Sequence, residues 1–401
     1  RFNYLGGKMI KKRLATIAVA TSAFLIVASP AFAGSINGSG ATFAAPLVDA
    51  CKVDFAADTG HTVNYTGGGS GKGRSDFSGN LVDFANSDAP YSSGAPANLI
   101  YAPVYAAPIA IMYNLPTVKE PIYLSPASIA KIFSGYITNW NDPALAKDNE
   151  RTVKTPVFKT KKVTVKDAKG KSVTKTVPVL DKKGKPEIAR YKTKTVNIDL
   201  PNQQITVWYR TDSSGTSENF TRFLKGANEA AGNSSLWPKA QNTTFSNATP
   251  NNISTFFNFQ GASGSAANAA GVAKTVGGVT YSELSFALDN KLPVAFVLNA
   301  AGEFVAPDAA GTSAFLGGGT INENGTVSVD FAKSIPGAYP IGTTSYALAY
   351  SSGKSAEKQA IVKEFLTYVL DKCPTKHPEK GFAQITGPLY NKAKEQLAKI
   401  K

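Results

Sequence analysis

Three segments of the sequence place side-chain hydroxyls among small residues where a predicted strand passes into a predicted helix. Backbone N–H groups in the first turn of a helix have no intrahelical partner, and together with a hydroxyl they can bind an oxyanion. A single segment is weak evidence, because a hydroxyl at a helix start usually just caps the helix. Three in one chain predict an oxyanion site. The segments are Gly40-Ala41-Thr42-Phe43, Gly69-Ser70-Gly71 and Ser213-Ser214-Gly215-Thr216.

Asp88 follows Ser87 at the end of another predicted strand and adds a carboxylate. A carboxylate next to an anion is repulsive unless the anion carries a proton that the carboxylate can accept. Phosphate carries such a proton near neutral pH, whereas sulfate would leave a buried acceptor unpaired. Taken alone, an Asp at a strand end is better explained as a turn cap. Together with the hydroxyl segments, Asp88 favours phosphate over sulfate or molybdate.

Arg210 precedes the third hydroxyl segment and is the predicted cationic member of the site. A guanidinium offers paired N–H donors that suit a tetrahedral oxyanion. Asp212 can hold this guanidinium in place and offset its charge. An ion pair on the surface is the alternative interpretation of these two residues.

The sequence offers little material for catalysis. Residues 68–73 superficially suggest a P-loop, but Lys72 is followed by Gly73 instead of Ser or Thr. With His61 and His377 as the only histidines, a histidine-based metal site or catalytic triad is not expected. We therefore predict a protein that is not an enzyme and has no cofactor, metal or catalytic residue. A secreted phosphatase that uses Ser70 stays open as an alternative.

The predicted elements indicate an α/β protein of at least two domains, because 401 residues exceed one hydrophobic core. A helix is predicted from about Ala44 with Thr42 as its N-cap, and short strands and helices alternate after it. The apolar run 104–113 predicts a strand that could cross between domains. Residues 262–278, rich in Gly, Ala and Ser, have no assignment.

The net charge of +15 is concentrated in one segment, which we call the basic arm (about 152–196). Residues 151–195 contain fifteen Lys and Arg against three Asp and Glu, whereas 34–150 and 196–401 together are close to neutral. This distribution argues against a nucleic-acid-binding protein. Alternating Val, Thr and Lys predict one or two β-hairpins with an apolar side on the protein and lysines in water. The arm is either a solubilising edge or an adhesive surface for polyanions of a wall or membrane.

The first 33 residues resemble a leader and an export signal. A basic stretch at 9–13, an apolar stretch at 14–28 and Ala31-Phe32-Ala33 predict cleavage before Gly34. Residues 1–8 are hypothesised to be untranslated leader. We therefore expect an exported protein, periplasmic or at the cell surface, that is not lipid-anchored through an N-terminal Cys. Cys51 and Cys373 are the only cysteines, and either a disulfide or two thiols is compatible with export.

Taken jointly, these motifs resemble the periplasmic phosphate-binding protein family, the substrate-binding subunits of ABC phosphate importers. They occur in the family's order and cover most of the mature chain. The basic arm and the missing anchor Cys depart from the family's pattern. The motifs are Gly38-Ser39-Gly40-Ala41-Thr42-Phe43-Ala44-Ala45-Pro46, Val63-Asn64-Tyr65 with Gly67-Gly68-Gly69-Ser70-Gly71, Ser87-Asp88-Ala89-Pro90, Trp140-Asn141-Asp142-Pro143 and Arg210-Thr211-Asp212-Ser213-Ser214-Gly215-Thr216.

The resemblance implies a two-lobed type II fold with phosphate in the cleft between lobes. Lobe I would comprise 34–112 and 339–401, and lobe II 113–338 with the basic arm as an insertion. Membrane permease and ATPase subunits are the implied partners, and a monomer is expected. The implied phosphate ligands are Thr42, Phe43 through its backbone N–H, Ser70 and Asp88 on lobe I, and Arg210, Ser214, Gly215 and Thr216 on lobe II, with Asp212 in support.

Overall fold

Strands and helices alternate along most of the chain in the computed structural model, which describes residues 33–166 and 170–401. The predicted leader and signal thus lie, except for Ala33, outside the described residues. The strands are β1 (Ser35–Gly40), β2 (Thr62–Gly67), β3 (Phe84–Ser87), β4 (Leu99–Tyr113), β5 (Tyr123–Leu124), β6 (Glu150–Phe158), β7 (Thr160–Lys166), β8 (Ser172–Pro178), β9 (Ile188–Asn197), β10 (Thr206–Arg210), β11 (Phe259–Ala262), β12 (Gly278–Glu283), β13 (Phe296–Leu298), β14 (Phe304–Val305), β15 (Thr320–Ile321), β16 (Val327–Ser328) and β17 (Gly342–Tyr350).

The helices lie between these strands and after the last of them. None of the described helices is long and apolar enough to cross a membrane. They are α1 (Ala45–Thr59), α2 (Ser70–Ser78), α3 (Pro126–Phe133), α4 (Pro143–Asp148), α5 (Gly215–Ala230), α6 (Phe245–Ala248), α7 (Ser265–Lys274), α8 (Leu284–Asp289), α9 (Ala309–Gly317), α10 (Ala356–Lys376) and α11 (Gly387–Ala398).

One eight-stranded sheet, in the order β11-β10-β12-β4-β17-β3-β1-β2, organises the fold. Residues 99–108 of β4 pair with β17, and residues 109–113 of the same strand pair with β12. Residues 100–113 are all buried, which agrees with the apolar sequence of this strand. β4 therefore joins the two halves of the sheet.

The parallel strands of each half direct their carboxyl ends toward functional loops. In one half β1 pairs parallel with β2 and β3, and in the other β10 pairs parallel with β11 and β12. The loops after β1, β2, β3 and β10 carry the predicted site residues. In open α/β sheets, ligands bind at the carboxyl ends of such strands.

Cys51 and Cys373 form a disulfide between α1 and α10, with their Cα atoms 5.8 Å apart. Both cysteines are fully buried. The bond settles the alternative that the sequence left open, and it fastens the first helix to the long helix near the C-terminus.

The basic arm forms two β-hairpins, as its alternating sequence predicted. β6 pairs with β9, and β7 pairs with β8. The expectation that an apolar side would pack on the protein is wrong, because no described side chain from 152 to 197 is buried. The arm leaves the body after α4 and returns at Ile198, whose N–H donates to the carbonyl of Asn149 (3.2 Å).

Replacing both cysteines, Cys51→Ala with Cys373→Ala, should lower the free energy of unfolding by about 2–5 kcal/mol. The bond links residues 322 positions apart and therefore restricts the unfolded chain. Urea denaturation of the oxidised protein, the reduced protein and the double variant measures the effect. We expect the last two to agree, and equal stability of all three would contradict a stabilising role.

Candidate functional site

Loops from both halves of the sheet meet at the predicted site. The N–H of Gly71, at the start of α2, donates to the carbonyl of Ser213 after β10 (2.9 Å). A Cβ atom on Gly215 would lie 2.5 Å from the Ser70 hydroxyl and 2.9 Å from the Asp88 Cβ, so only glycine fits there. The structure thus brings together the segments of Ser70, Asp88 and Gly215, which lie apart in the sequence.

Arg210 is buried at this junction, with 2% of its surface exposed. Its Nε donates to Asp212 Oδ1 (2.7 Å), and Nη2 donates to Asp212 Oδ2. Nη1 donates to the hydroxyl of Ser265 (3.0 Å). The pair is therefore not the surface ion pair that the sequence left as an alternative.

The pairing with Arg210 sets the charge state of Asp212, and the turn before α7 gives it a further hydrogen bond. Burial acts to raise the pKa of Asp212, but hydrogen bonds and charge from Arg210 leave that pKa below its usual range. Its Oδ1 also accepts the N–H of Gly264 (2.9 Å). A charged Asp212 thus holds the guanidinium and fixes the turn before α7.

Asp88 is also buried, and its carboxyl is held by hydroxyls. Oδ1 accepts a hydrogen bond from Ser345 (2.8 Å), and Oδ2 lies 3.4 Å from the Ser70 hydroxyl. The N–H of Asp88 donates to the same Ser70 hydroxyl (3.1 Å). Burial raises the pKa of Asp88 to about 6, against the hydrogen bonds and the charge of Arg210 that oppose it. Asp88 can therefore exchange a proton near neutral pH.

The start of α5 offers donors to the same space. The Ser214 hydroxyl accepts the N–H of Ser217 (3.1 Å) and so caps the helix. Gly215 and Thr216 are the first helical residues, where N–H groups have no intrahelical acceptor. The Thr216 hydroxyl is buried and has no hydrogen-bond partner among the described residues. A buried hydroxyl without a partner costs about 1–3 kcal/mol, so a ligand that accepts from it is favoured.

The segment after β1 does not cap α1, contrary to the prediction from its sequence. Thr42 is not the N-cap of α1, because that position is Ala44 and has no side-chain cap. Thr42 Oγ1 instead lies 3.3 Å from the Ser265 hydroxyl and accepts the Ser265 N–H (3.3 Å). The ring of Phe43 is fully buried and packs edge-on against Phe382, which leaves its backbone N–H as its polar contribution.

Ser265 and Ser345 were missed in the sequence. Ser265 begins α7 after β11 and follows Gly264, whose φ is 82°. Ser263-Gly264-Ser265 repeats the hydroxyl-and-glycine pattern, so the signal was present within the unassigned stretch. Ser345 lies inside β17, and a hydroxyl within a strand gives no comparable signal.

The arrangement suits anion binding more than catalysis. His61 lies 3.6 Å from Glu364, and His377 lies 3.0 Å from Asp54, so both histidines are paired elsewhere. Within 33–166 and 170–401, no group of three or more His, Cys, Asp or Glu could hold a metal ion. What the site contains is a guanidinium, hydroxyls and helix-start N–H groups around one carboxyl of raised pKa.

Known proteins share these features of sequence and fold. A family model described as "PBP superfamily domain" matches residues 26–372. Phosphate-binding protein PstS 3 of Mycobacterium tuberculosis is 31% identical over 324 residues, which cover 77% of this chain and 70% of that protein. Phosphate-binding protein PstS of Xylella fastidiosa is 26% identical over 347 residues, 84% of this chain and 77% of its own.

Solved structures of similar fold include two phosphate-binding proteins. An ancestral soluble variant of the Human Phosphate Binding Protein gives a TM-score of 0.63 at 21% identity, covering 91% of this chain and 93% of that chain. The periplasmic phosphate-binding protein PfluDING, bound with phosphate, gives a TM-score of 0.62 at 22% identity. The match covers 90% of this chain and 93% of that chain. These likenesses confirm the predicted two-lobed type II α/β fold.

The raised pKa of Asp88 should be visible in the stability of the ligand-free protein. The pKa of Asp88 is about 6 in the folded protein and 3.8 in the unfolded chain, so the protonated form of Asp88, present below pH 4, stabilises the fold. That contribution is lost as the pH rises from about 4 to about 6, and the shift corresponds to about 3 kcal/mol at most. Urea denaturation of the wild type and Asp88→Asn, in phosphate-free buffer, measures it.

We expect the stability difference, wild type minus Asp88→Asn, to fall by about 2–3 kcal/mol between pH 4 and pH 7. Carboxylates beyond the reach of the Asp88 charge titrate equally in both proteins and cancel in this difference, whereas the pKa of Glu283 is raised by its burial and also by the Asp88 charge. Asp289→Asn, a change at an exposed carboxylate, is the matched control. A difference for Asp88→Asn that does not change with pH would contradict the raised pKa.

Proposed function

Because this chain belongs to the PstS family of phosphate-binding proteins, we propose that it binds inorganic phosphate outside the cytoplasm and delivers it to an ABC importer. One observation carries the proposal: the buried guanidinium of Arg210, the helix-start N–H groups of α5 and the carboxyl of Asp88, whose pKa is raised, lie close together. Such a set matches an anion that is rich in acceptors and still holds a proton.

The ligand would be bound by residues from both halves of the sheet. Thr42, Ser70 and the Phe43 N–H would donate from the first lobe, where Asp88 accepts the proton of the phosphate. From the second lobe Arg210 would give paired N–H donors, and the start of α5 would give backbone N–H groups and the Thr216 hydroxyl. Ser214 and Gly215 also belong to the proposed set. The cap that Ser214 forms orients the N–H groups of Gly215 and Thr216.

The proposed lobes follow from the strand that joins them. Lobe I would comprise 34–112 and 339–401, and lobe II 113–338, so β4 ends at the boundary. Ser345 lies in the returning segment and holds Asp88 from the lobe I side. Phosphate would then be enclosed between groups that belong to different lobes, as in a cleft that closes on its ligand.

Selectivity would come from directed hydrogen bonds more than from a general positive field. Residues 34–150 and 196–401 together hold 23 basic and 25 acidic residues, a net of −2. Arg210 is itself balanced by Asp212. Sulfate, which has no proton, would leave an ionised Asp88 without a donor and repelled by the anion.

We further propose that the protein is exported, acts as a monomer and meets the permease and ATPase subunits of its importer. The relatives are binding proteins by name, and a catalytic role is not favoured for this chain. The Ser70 hydroxyl contacts Asp88, but no histidine pairs with it in the described part of the chain. Absence of phosphate release from a chromogenic phosphate ester would remove the phosphatase alternative.

Asp88→Asn should weaken phosphate binding by about 1–3 kcal/mol and reduce the preference over sulfate. The amide can donate a hydrogen bond, which sulfate can accept, and it carries no charge to repel the anion. Titration calorimetry with phosphate and then sulfate at pH 8, where wild-type Asp88 is ionised, measures both affinities.

Lowering the pH below about 6 should reduce the preference of the wild type for phosphate over sulfate, as Asp88→Asn does. The reason is that a protonated Asp88 can donate a hydrogen bond to sulfate. Asp289→Asn is again the control. Unchanged affinity and selectivity in Asp88→Asn would remove Asp88 from the site.

Arg210→Ala should cost about 2–5 kcal/mol of phosphate affinity, because the anion and the partly buried Asp212 both lose their partner. Arg210→Lys keeps the charge without the paired donors and should show an intermediate loss. Calorimetry with phosphate measures all three proteins, with folding checked by circular dichroism.

The matched control is Arg222→Ala, which removes an arginine of α5 that pairs with Glu218 at 3.2 Å. That change should alter phosphate affinity by less than about 1 kcal/mol. Equal effects of Arg210→Ala and Arg222→Ala would mean that Arg210 does not contact phosphate.

A further inference from the structure

The basic arm is a surface that the proposed function leaves unused. It consists of two hairpins, β6–β9 and β7–β8, and it packs none of its described side chains into a core. A two-stranded ribbon is at best marginally stable in water without a face to pack on. Both hairpins therefore offer faces that a partner can cover.

Each hairpin has an apolar face. In the hairpin β6–β9, Phe158 lies opposite Ile188 and Pro156 opposite Tyr191, which places these four side chains on one face. In β7–β8, the pairings place four valines on one face, together with two lysines. These residues are Val163, Val165, Val173 and Val177, with Lys161 and Lys175.

The large apolar side chains of the arm are open to solvent. The exposed fraction is 43% for Phe158, 43% for Ile188, 54% for Leu180 and 56% for Tyr191. Lysines alone would keep an edge soluble, but exposed aromatic and aliphatic side chains work against solubility. A purely solubilising role therefore does not account for this face.

The charge of the arm selects the sign of the partner. Residues 151–195 carry fifteen Lys and Arg and three Asp and Glu, a net of +12. One of those acids, Glu187, pairs with Lys159 at 2.8 Å. The partner must therefore be strongly anionic.

Together, the charge and the exposed apolar side chains of the arm distinguish between two classes of anionic partner, a wall polymer and an anionic lipid bilayer. A wall polymer offers charge but no apolar phase for Phe158, Ile188 and Tyr191. The interface of a bilayer with anionic lipids offers both, since lysines stay among the headgroups while apolar and aromatic side chains enter the acyl boundary. We propose that the basic arm docks the protein on the surface of an anionic lipid membrane.

Docking of this kind would hold the protein at the membrane through the arm itself. The arm is inserted between α4 and β10, and both of its ends lie at residues 149 and 198 of the body. Its attachment is thus separate from the loops that carry the phosphate-binding residues. The proposal can fail while phosphate binding stands, and the reverse is also true.

The test is co-sedimentation of the chain from residue 34 with vesicles at low salt. Equimolar phosphatidylglycerol and phosphatidylcholine should bind the wild type at least about tenfold better than phosphatidylcholine alone. A charge variant replaces Lys161, Lys162, Lys175 and Lys183 by Gln, and it should lose about tenfold or more of this binding. Its matched control replaces four exposed lysines of the body, Lys119, Lys239, Lys274 and Lys333, by Gln and should bind as the wild type does.

A second variant, Phe158→Ser with Tyr191→Ser, keeps every charge and removes two apolar side chains. We expect it to bind anionic vesicles about tenfold more weakly than the wild type, and to adsorb to a heparin column as strongly. Raising the salt to about 1 M shortens the screening length to about 3 Å and should release all forms from vesicles. Thermal unfolding of the body verifies that each variant is folded.

A reporter variant, Tyr191→Trp, distinguishes insertion from simple adsorption. Trp140 and Trp237 are fully buried and Trp208 is half-buried, and none of the three lies in the arm. A new exposed Trp in the arm therefore adds a red-shifted emission, and this added emission should move to the blue only with anionic vesicles. Equal vesicle binding by the charge variant and its control would overturn the proposal. Loss in the charge variant but none in Phe158→Ser with Tyr191→Ser, and no blue shift, would overturn it in favour of a wall polyanion.

Discussion

The buried ion pair between Arg210 and Asp212 is the interaction on which the site depends. An unpaired guanidinium at 2% exposure would be very costly, and Asp212 offsets its charge with two hydrogen bonds. Asp212 in turn accepts the N–H of Gly264, and Arg210 donates to Ser265. The pair therefore fixes the start of α7 as well as the guanidinium that we propose as a donor to the anion.

A second constraint is that the two halves of the sheet share one strand. Because β4 pairs with β17 in one half and with β12 in the other, the loops that carry Asp88 and Arg210 are connected through continuous backbone hydrogen bonds. Asp88 is held by Ser345 of β17, next to this shared strand. The position of the acceptor is thus set by the sheet, whereas the helix-start donors are set by their loops. This division would suit the proposed discrimination between a protonated and an unprotonated anion.

The body and the basic arm differ in how many charges they carry and in how these charges are exposed to solvent. The body is nearly neutral and buries Arg210 beside Asp212, which offsets its charge, so the proposed recognition is local and directional. The arm places its charges in water, where they act over a screening length and are insensitive to exact geometry. The two proposals thus give one chain a short-range recognition site and a long-range attractive surface, with no described side chain of the arm buried in the body.

The sequence by itself determined the local chemistry: hydroxyls and free N–H groups at three helix starts, Asp88 at a strand end, Arg210 two residues before Asp212, and hairpins in the arm. These features depend on neighbouring residues, whose backbone geometry is a local property. Only the tertiary structure decided that Ser345, 257 residues from Asp88, holds its carboxyl, and that Cys51 is bonded to Cys373. It also decided that Thr42 contacts Ser265 instead of capping α1, and that no described side chain of the arm is buried. Such contacts between distant segments follow from how the sheet and helices pack, which local sequence patterns do not encode.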